Sequence, residues 1–433
     1  MGVARLAREG DDEAGMAASP GETRVGTFSL PGHRLRRLQR CAALAEAAYC
    51  TCPVEFSLLT QLPVSCVVAS EWHSDVATLR PAYQLVVDVA QEALVLCIRG
   101  TRDVLDALTD ATAHPEPLQG GYVHCGMLRA ARLILAELRE EMVRVLERHP
   151  SLALVVVGHS MGGGVGAILA LLLRQDVCPA LCAATCVAFG PPSCVSQGIA
   201  RGCRDFVVGV ACSLDIIPCL SMHAVRRLRE RVIQATAEAD QEEEEEEGNR
   251  ARQSADVDQW VETSNGSNKQ QKLLQVISSP LRWMRAKSSR RRNDGTSDAP
   301  AHASEDELKN PEEDLYPPGM MYILSYNETA GADGKDQMRR RKPDMSPGNF
   351  YTRKVRMNWG PQDINEIQWH VNAGDLQSFK TIRLSPWLLC DHSLSTIGEG
   401  LHALLLQYLD YHSATKVDNV EKGSCDVVDK QSK

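Results

Sequence analysis

A mostly parallel β-sheet with helices on both faces is the architecture to which this 433-residue sequence points. Three observations carry that expectation. Short, uncharged, β-branched runs alternate along the chain with longer runs of helical spacing, and strand–helix alternation of this kind gives a parallel sheet covered on both sides. The run Leu152–Val157 (LALVVV) is apolar at every position, as a strand buried on both faces must be. The run Val165–Leu173 (VGAILALLL), a few residues later, has the composition of a packed helix.

The elements follow in order. Leu35 to Tyr49 reads as a helix, and Tyr83–Val89 and Ala93–Ile98 read as two strands joined at Ala90–Glu92 in a hairpin. Residues 127–148 have the mixed charge and apolar spacing of a long amphipathic helix. Cys182–Phe189 (CAATCVAF) and Phe206–Cys212 (FVVGVAC) read as further buried strands, with Met321–Ser325, Gln368–Val371 and Phe379–Leu384 as later ones. Ile397–Leu409 closes the pattern as a helix. These elements group residues 31–235 and 316–412 into a single domain, flanked by disordered tails at 1–30 and 413–433. Between the two halves, residues 236–315 form a low-complexity insert: six consecutive glutamates, Glu242–Glu247, then polar text, then Arg290–Arg292. Charge blocks of that kind bury too little apolar surface to order themselves, so the insert is expected to be disordered.

Composition removes several classes. A formal charge of −9 argues against a nucleic-acid binder. The fifteen cysteines are odd in number and lack metal-ligand spacing, so no metal or other cofactor is expected. The charged opening MGVARLAREGDDEAG is unlike a secretory signal, and free thiols suit a reducing compartment. The expectation is a cytoplasmic protein, bound to a membrane surface at most. Leu152 to Leu173 carries no Asp, Glu, Lys or Arg and is long enough to span a bilayer, but a histidine, a serine and four glycines at its centre argue against a span.

Those central residues are the most informative in the chain. Gly158-His159-Ser160-Met161-Gly162 fits G-x-S-x-G, and it lies between the strand and the helix just described. The pentapeptide alone recurs by chance; the strand-to-helix context gives it meaning, because a sharp turn there lifts the serine hydroxyl above the sheet. Residues two before and two after the serine come close, which favours glycine.

A serine so placed needs an imidazole and a carboxylate. In α/β-hydrolases the chain order is serine, acid, histidine, each at the carboxyl end of a strand. Asp215 directly follows the strand 206–212, whereas Asp205 sits at that strand's other end and Asp176 at a helix end. Asp215 is therefore favoured, against the plain alternative of an aspartate capping a turn before Pro218. Of the later histidines, His392 lies in a loop after a strand and before a helix. His223 is near Asp215 in sequence, His302 is in the insert, His370 is in a strand, His402 is inside a helix and His412 is at a helix end. His392 is favoured over a bland role at a helix start. His392 would take the Ser160 proton as the hydroxyl attacks an ester carbonyl, and Asp215 would fix the imidazole tautomer. The oxyanion donors expected are the amide N–H of Met161 and Thr101, in the Ile98-Arg99-Gly100-Thr101 stretch that ends strand 93–98.

With these residues in view the chain resembles the class 3 lipase family of α/β-hydrolases, and within it the sn-1-specific diacylglycerol lipase-like branch. The resemblance rests on AALAEAAYC (42–50), IRGT (98–101), DALTD (106–110), GGYVHCGM (120–127), GHSMGGG (158–164), AFGPP (188–192), LYPPG (315–319) and DHSLSTI (391–397), in the family's order. It implies the triad Ser160, Asp215 and His392, an oxyanion hole at Thr101 and Met161, and a mobile lid within Arg102 to Gln119. It also implies an acylglycerol substrate, diacylglycerol first, met at a peripheral membrane surface. The animal diacylglycerol lipases of the family carry N-terminal membrane helices that are not legible here, and the 236–315 insert occupies the slot of a regulatory insertion. That insert is the candidate to receive a regulatory partner or modification. Phospholipase A1 or galactolipase activity, acyl transfer, and a catalytically silent interaction protein are the alternatives. His124 reads as a structural histidine, and Lys272–Lys287 (KLLQVISSPLRWMRAK) as a solvated linker rather than a membrane-binding segment.

Overall fold

Leu154 and Val156 turn to one face of their strand, Val155 and Val157 to the other, and both sets are buried in separate hydrophobic cores. The strand before it in the sheet does the same, with Leu94, Leu96 and Ile98 on the first face and Val95 and Cys97 on the second. This two-sided burial is why the sequence lacks polar alternation there. The computed structural model describes residues 30–75, 78–101, 115–254, 314–328, 367–382 and 391–428.

The chain opens with helix α1 (Gly32–Ala47) and helix α2 (Pro53–Thr60), followed by strands β1 (Val67–Glu71), β2 (Tyr83–Asp88) and β3 (Ala93–Ile98). Leu35, Leu38, Ala42 and Ala45 supply the buried stripe of α1 at helical spacing. Strands β4 (Pro115–Leu118) and β5 (Gly121–His124) lead into the long helix α3 (Cys125–Arg148). Next come β6 (Ala153–His159), α4 (Met161–Leu173), α5 (Pro179–Cys182), β7 (Thr185–Phe189), β8 (Val195–Ser196), α6 (Gln197–Gly202) and β9 (Val207–Cys212). Helix α7 (Met222–Ser254), strands β10 (Leu315–Tyr316), β11 (Met320–Glu328) and β12 (Ile367–Ala373), and helix α8 (Leu394–Val428) complete the described part.

The main sheet has eight strands in the order β1-β2-β3-β6-β7-β9-β11-β12. Pairs from β3 to β11 are parallel, and β1, β2 and β12 add antiparallel edges. This is the α/β-hydrolase arrangement. Helices α3 and α4 cover one face, and α1 and α8 the other. A small antiparallel sheet, β10-β8-β5-β4, lies beside it. The β2–β3 pair is the expected hairpin, its connection a single 3-10 turn at Val89–Gln91.

Several expectations are corrected. Strand β7 begins at Thr185 rather than Cys182, because Pro179, with its fixed φ and missing N–H, starts the short helix α5. No strand begins at Phe379: Leu376–Lys380 is a 3-10 turn, capped by the Asp375 carboxylate accepting from Gln377 N–H, and Phe379 is buried against Ala211 and Met321. The rest of that expected strand, 383–384, lies outside the described residues. The first part of the expected disordered insert, 236–254, is instead helical, because helix α7 runs on to Ser254 through the glutamate run. Its first turns are anchored by buried Ala224, Val232 and Ala235. Once nucleated, a helix extends at little cost through strong formers such as Glu, Ala and Arg. Helix α8 likewise runs on to Val428, past the expected boundary at 412. The expected lid falls outside the described residues up to 114, as do Lys272–Lys287 and Arg290–Arg292. Among the described residues no helix is long and apolar enough to cross a membrane; the uncharged run 152–173 divides into β6, a turn and α4.

Candidate active site

The turn between β6 and α4 places Ser160 at φ 56° and ψ −130°, a left-handed conformation that a non-glycine residue adopts only under constraint. The constraint is local crowding. A Cβ on Gly158 would lie 2.3 Å from the Gly162 carbonyl oxygen, and one on Gly162 would lie 2.3 Å from the Ile98 carbonyl oxygen. Both positions therefore require glycine, and the turn is locked against the end of β3. The Ser160 N–H donates to the Phe189 carbonyl at 2.8 Å, and the Ser160 carbonyl accepts from Gly163 and Gly164. The serine is 3% exposed and stands at the N-terminus of α4, where first-turn N–H groups point past the helix end. Partly buried Met161 is the first residue of that turn.

The expected oxyanion stretch sits against the same turn. A Cβ on Gly100 would be 2.4 Å from the His159 carbonyl oxygen and 3.1 Å from the Ser160 Cβ. Thr101 follows immediately, half-buried.

Asp215 lies just after β9, as expected, and is 4% exposed. His392, 6% exposed, precedes α8, and its Nδ1 is 3.1 Å from both Oδ1 and Oδ2 of Asp215. With the carboxylate ionised, Nδ1–H donates. Oδ1 of Asp215 also accepts from the Ile217 N–H at 2.9 Å, which holds the carboxylate in place. Gly190, with φ +51°, forms the floor beneath the pair: a Cβ there would lie 2.8 Å from both Asp215 Oδ2 and His392 Nδ1. That glycine belongs to the AFGPP run.

The structure thus joins His392 to Asp215 directly, and His159, the residue before Ser160, touches His392. The His159 ring stacks on the His392 ring, with centroids 4.6 Å apart and planes inclined by 28°. Among the described residues, several other carboxylates and histidines stand elsewhere. Asp176 is held by Arg139 in a two-bond ion pair, His223 faces Asp314 at 3.7 Å, His370 lies in β12 and His402 contacts Gln39. His124 accepts from the Met127 N–H and caps α3, the structural role expected of it.

Three residues of the site had no role in the sequence reading. Asp391 is fully buried, and its Oδ2 accepts from the Leu214 N–H at 3.1 Å, tying the histidine loop to the acid loop. His159 and Tyr49 form the other contacts. His159 Nε2 lies 2.8 Å from the His392 carbonyl oxygen, and His159 Nδ1 lies 2.9 Å from the Tyr49 hydroxyl. Both residues sit inside quoted motifs, AALAEAAYC and GHSMGGG, but nothing local in the sequence shows that they meet.

Burial, reinforced by the adjacent His392, pushes the His159 imidazole down to about 3. A titration consequence follows. The folded state keeps His159 neutral while the unfolded chain protonates it near 6.5, so between those values the unfolded state binds more protons. The His159 contribution to stability is fully present above pH 6.5 and is lost as pH falls towards 3, at up to ~1.4 kcal/mol per pH unit. Urea unfolding of wild type and His159→Gln at a series of acidic pH values should show a shallower acid slope in the variant. Equal slopes would mean that the buried ring is not neutral.

Buried thiols are raised by the same desolvation, Cys41 to about 12 and Cys203 to about 11, which keeps them protonated and poor nucleophiles. Among the described residues no group of His, Cys, Asp or Glu is arranged to hold a metal ion.

Residues 95–224 match the family Lipase (class 3). Diacylglycerol lipase-beta of Mus musculus is 33% identical over 162 residues, covering 35% of this chain and 24% of that protein. Diacylglycerol lipase-alpha of Homo sapiens is 33% identical over 171 residues, covering 36% of this chain and 16% of that protein. The secreted mono- and diacylglycerol lipase A of Penicillium cyclopium is 30% identical over 131 residues, covering 30% and 42%. The chain therefore spans a quarter or less of the two mammalian relatives. A solved triacylglycerol lipase structure with a serine protease triad is 19% identical, with a TM-score of 0.40 over 46% of this chain and 78% of that one.

Proposed function

We propose, for a chain that belongs to the class 3 lipase family, that it is a serine esterase cleaving acylglycerols at a membrane surface, with diacylglycerol as substrate and its sn-1 ester as the bond broken. One observation carries the reading: a buried imidazole, hydrogen-bonded through Nδ1 to a fixed carboxylate, beside a serine held at φ 56° on a glycine-flanked elbow.

In the proposed reaction His392 Nε2 accepts the Ser160 hydroxyl proton as Oγ attacks the ester carbonyl. The tetrahedral oxyanion takes hydrogen bonds from the N–H of Met161 and from Thr101, each such donor worth roughly 3 kcal/mol in the transition state. Its collapse breaks the acyl C–O bond, and His392 returns the proton to the departing glyceride alcohol. Water, deprotonated by the same imidazole, then releases the fatty acid and restores Ser160. Asp215 holds the Nδ1–H tautomer and stabilises the imidazolium throughout.

The substrate assignment is supported by the likeness to proteins named diacylglycerol lipases and is tested with a panel. Purified protein is offered liposomes carrying diacylglycerol, phospholipid or galactolipid. The expected result is fatty acid released fastest from diacylglycerol, leaving the 2-acylglycerol. Faster release from phospholipid or galactolipid, or transfer of the acyl group to an added alcohol in place of water, would replace this assignment with the corresponding one.

A further inference from the structure

The two histidines of the site differ in what surrounds them, and the difference points to a division of labour. His392 is the only one of the pair hydrogen-bonded to a carboxylate in the site; His159 lies between a carbonyl oxygen and a phenol. A carbonyl oxygen can only accept, so the nitrogen facing it must carry the proton. His159 is therefore the Nε2–H tautomer, donating to the His392 carbonyl at 2.8 Å, and its Nδ1 lone pair accepts from the Tyr49 hydroxyl at 2.9 Å. Tyr49 itself stands edge-on to the ring, with centroids 6.0 Å apart.

From this geometry we propose that His159 is a positioning residue for the esterase reaction, and that Tyr49, by donating to its Nδ1, holds the tautomer that the His392 carbonyl selects. The inference rests on the triad assigned above. The His159 N–H anchors the backbone of residue 392, while its ring face supports the His392 imidazole from one side. The Asp215 carboxylate holds the ring edge. A ring fixed at its backbone, face and edge has little freedom left, and proton transfer depends steeply on the donor–acceptor geometry that such fixing provides. The tautomer is what makes the support work. With the proton on Nδ1 instead, the Nε2 lone pair would face the His392 carbonyl and push the loop away.

The charge of the support matters as well. During turnover His392 becomes an imidazolium. A neutral His159 face accepts a neighbouring cation, whereas a second imidazolium stacked at 4.6 Å would repel it. Among the described residues, the groups in contact with the His159 ring are the Tyr49 hydroxyl, just after α1, and the His392 loop with Asp215 behind it. None of these offers His159 a carboxylate, so among the described residues nothing at that position compensates a positive charge on it.

Four variants test this on a soluble short-chain ester, together with the labelling rate by a fluorophosphonate probe. His159→Leu removes the donor, and kcat is expected to fall by about 10²-fold with KM little changed, the size of effect that small misplacements of a reacting group produce. His159→Gln can still present an N–H to the carbonyl and should recover most of that loss. Tyr49→Phe should lower kcat by about tenfold, in line with the loss of one hydrogen bond. Because Tyr49 acts through His159, Tyr49→Phe should cost nothing further in the His159→Leu background. The downfield proton NMR signal of the His392–Asp215 hydrogen bond should shift or broaden in His159→Leu and return in His159→Gln, which a purely structural role would not bring about.

Wild-type kcat in folded His159→Leu, or additive losses in the double variant, would overturn the proposal. Should His159→Leu fail to fold, unchanged kcat in Tyr49→Phe overturns it equally. Failure of the underlying triad would look different: the probe would not label Ser160 of the wild-type protein at all.

Discussion

Replacing Ser160 by alanine is expected to lower ester turnover by about 10⁶-fold, the loss typical when a nucleophile that works in concert with its base is deleted. The protein should remain folded, for reasons visible in the turn. The bonds that hold residue 160 run through its backbone, from its N–H to Phe189 and from Gly163 and Gly164 to its carbonyl. The crowding that imposes φ 56° comes from Gly158, Gly162 and the end of β3, not from the hydroxyl. Alanine keeps the Cβ that already fits there. The variant should thus unfold thermally within about 0.5 kcal/mol of wild type and show no fluorophosphonate labelling, with a residual rate coming from binding and the oxyanion donors alone. Hydrolysis persisting near the wild-type rate would remove the serine from the mechanism.

How much of this was legible beforehand depends on the range of the interaction. The elbow is a local object: two glycines at fixed offsets from a serine, a β-branched run before and an alanine–leucine run after, all within residues 152–173. Asp215 and His392 lie far from Ser160 in sequence, yet each follows from chain order and from sitting at an element boundary. Most strands of the parallel part of the sheet were legible for the same reason, since each apolar run could be read from its own residues. The support behind His392 was not legible. Tyr49 and His159 are separated by 110 positions, His159 and His392 by 233, and no periodicity links them. The histidine beside the serine reads as an arbitrary middle residue of G-x-S-x-G until the fold brings a carbonyl to its ring.

The other misreadings have local causes of a different kind. Phe379–Leu384 has strand-like composition, but Asp375, capping Gln377, competes for the backbone and draws Phe379 and Lys380 into a 3-10 turn. The charged stretch 236–254 has the composition of disorder, yet it is continuous with a helix whose first turns are buried, so elongation rather than nucleation decides its state. Composition describes what a segment could do alone, while its neighbour supplies the nucleus.

The acid offers the second large effect. Asp215→Asn is expected to reduce kcat by about 10⁴-fold without unfolding the protein. The size follows from what the two oxygens do. Oδ1 accepts from the Ile217 N–H at 2.9 Å, so an asparagine would be obliged to place its carbonyl oxygen there. Its NH₂ group would then occupy the Oδ2 position and donate to His392 Nδ1, which at present lies 3.1 Å away and donates in the opposite sense. The imidazole would have to carry its proton on Nε2, the nitrogen that receives the Ser160 proton in the proposed reaction. Gly190 beneath the pair and His159 across the ring face leave the imidazole little room to rotate out of this arrangement. A control separates this electronic argument from simple loss of a buried carboxylate. Asp391 is also buried beside the histidine, but its Oδ2 accepts from the Leu214 backbone N–H, a bond that an asparagine oxygen can keep. Asp391→Asn should therefore retain turnover within about tenfold, the cost of weakening one hydrogen bond, while Asp215→Asn falls by the larger factor at matched thermal stability. Reversal of that order would transfer the acid's role from residue 215 to residue 391.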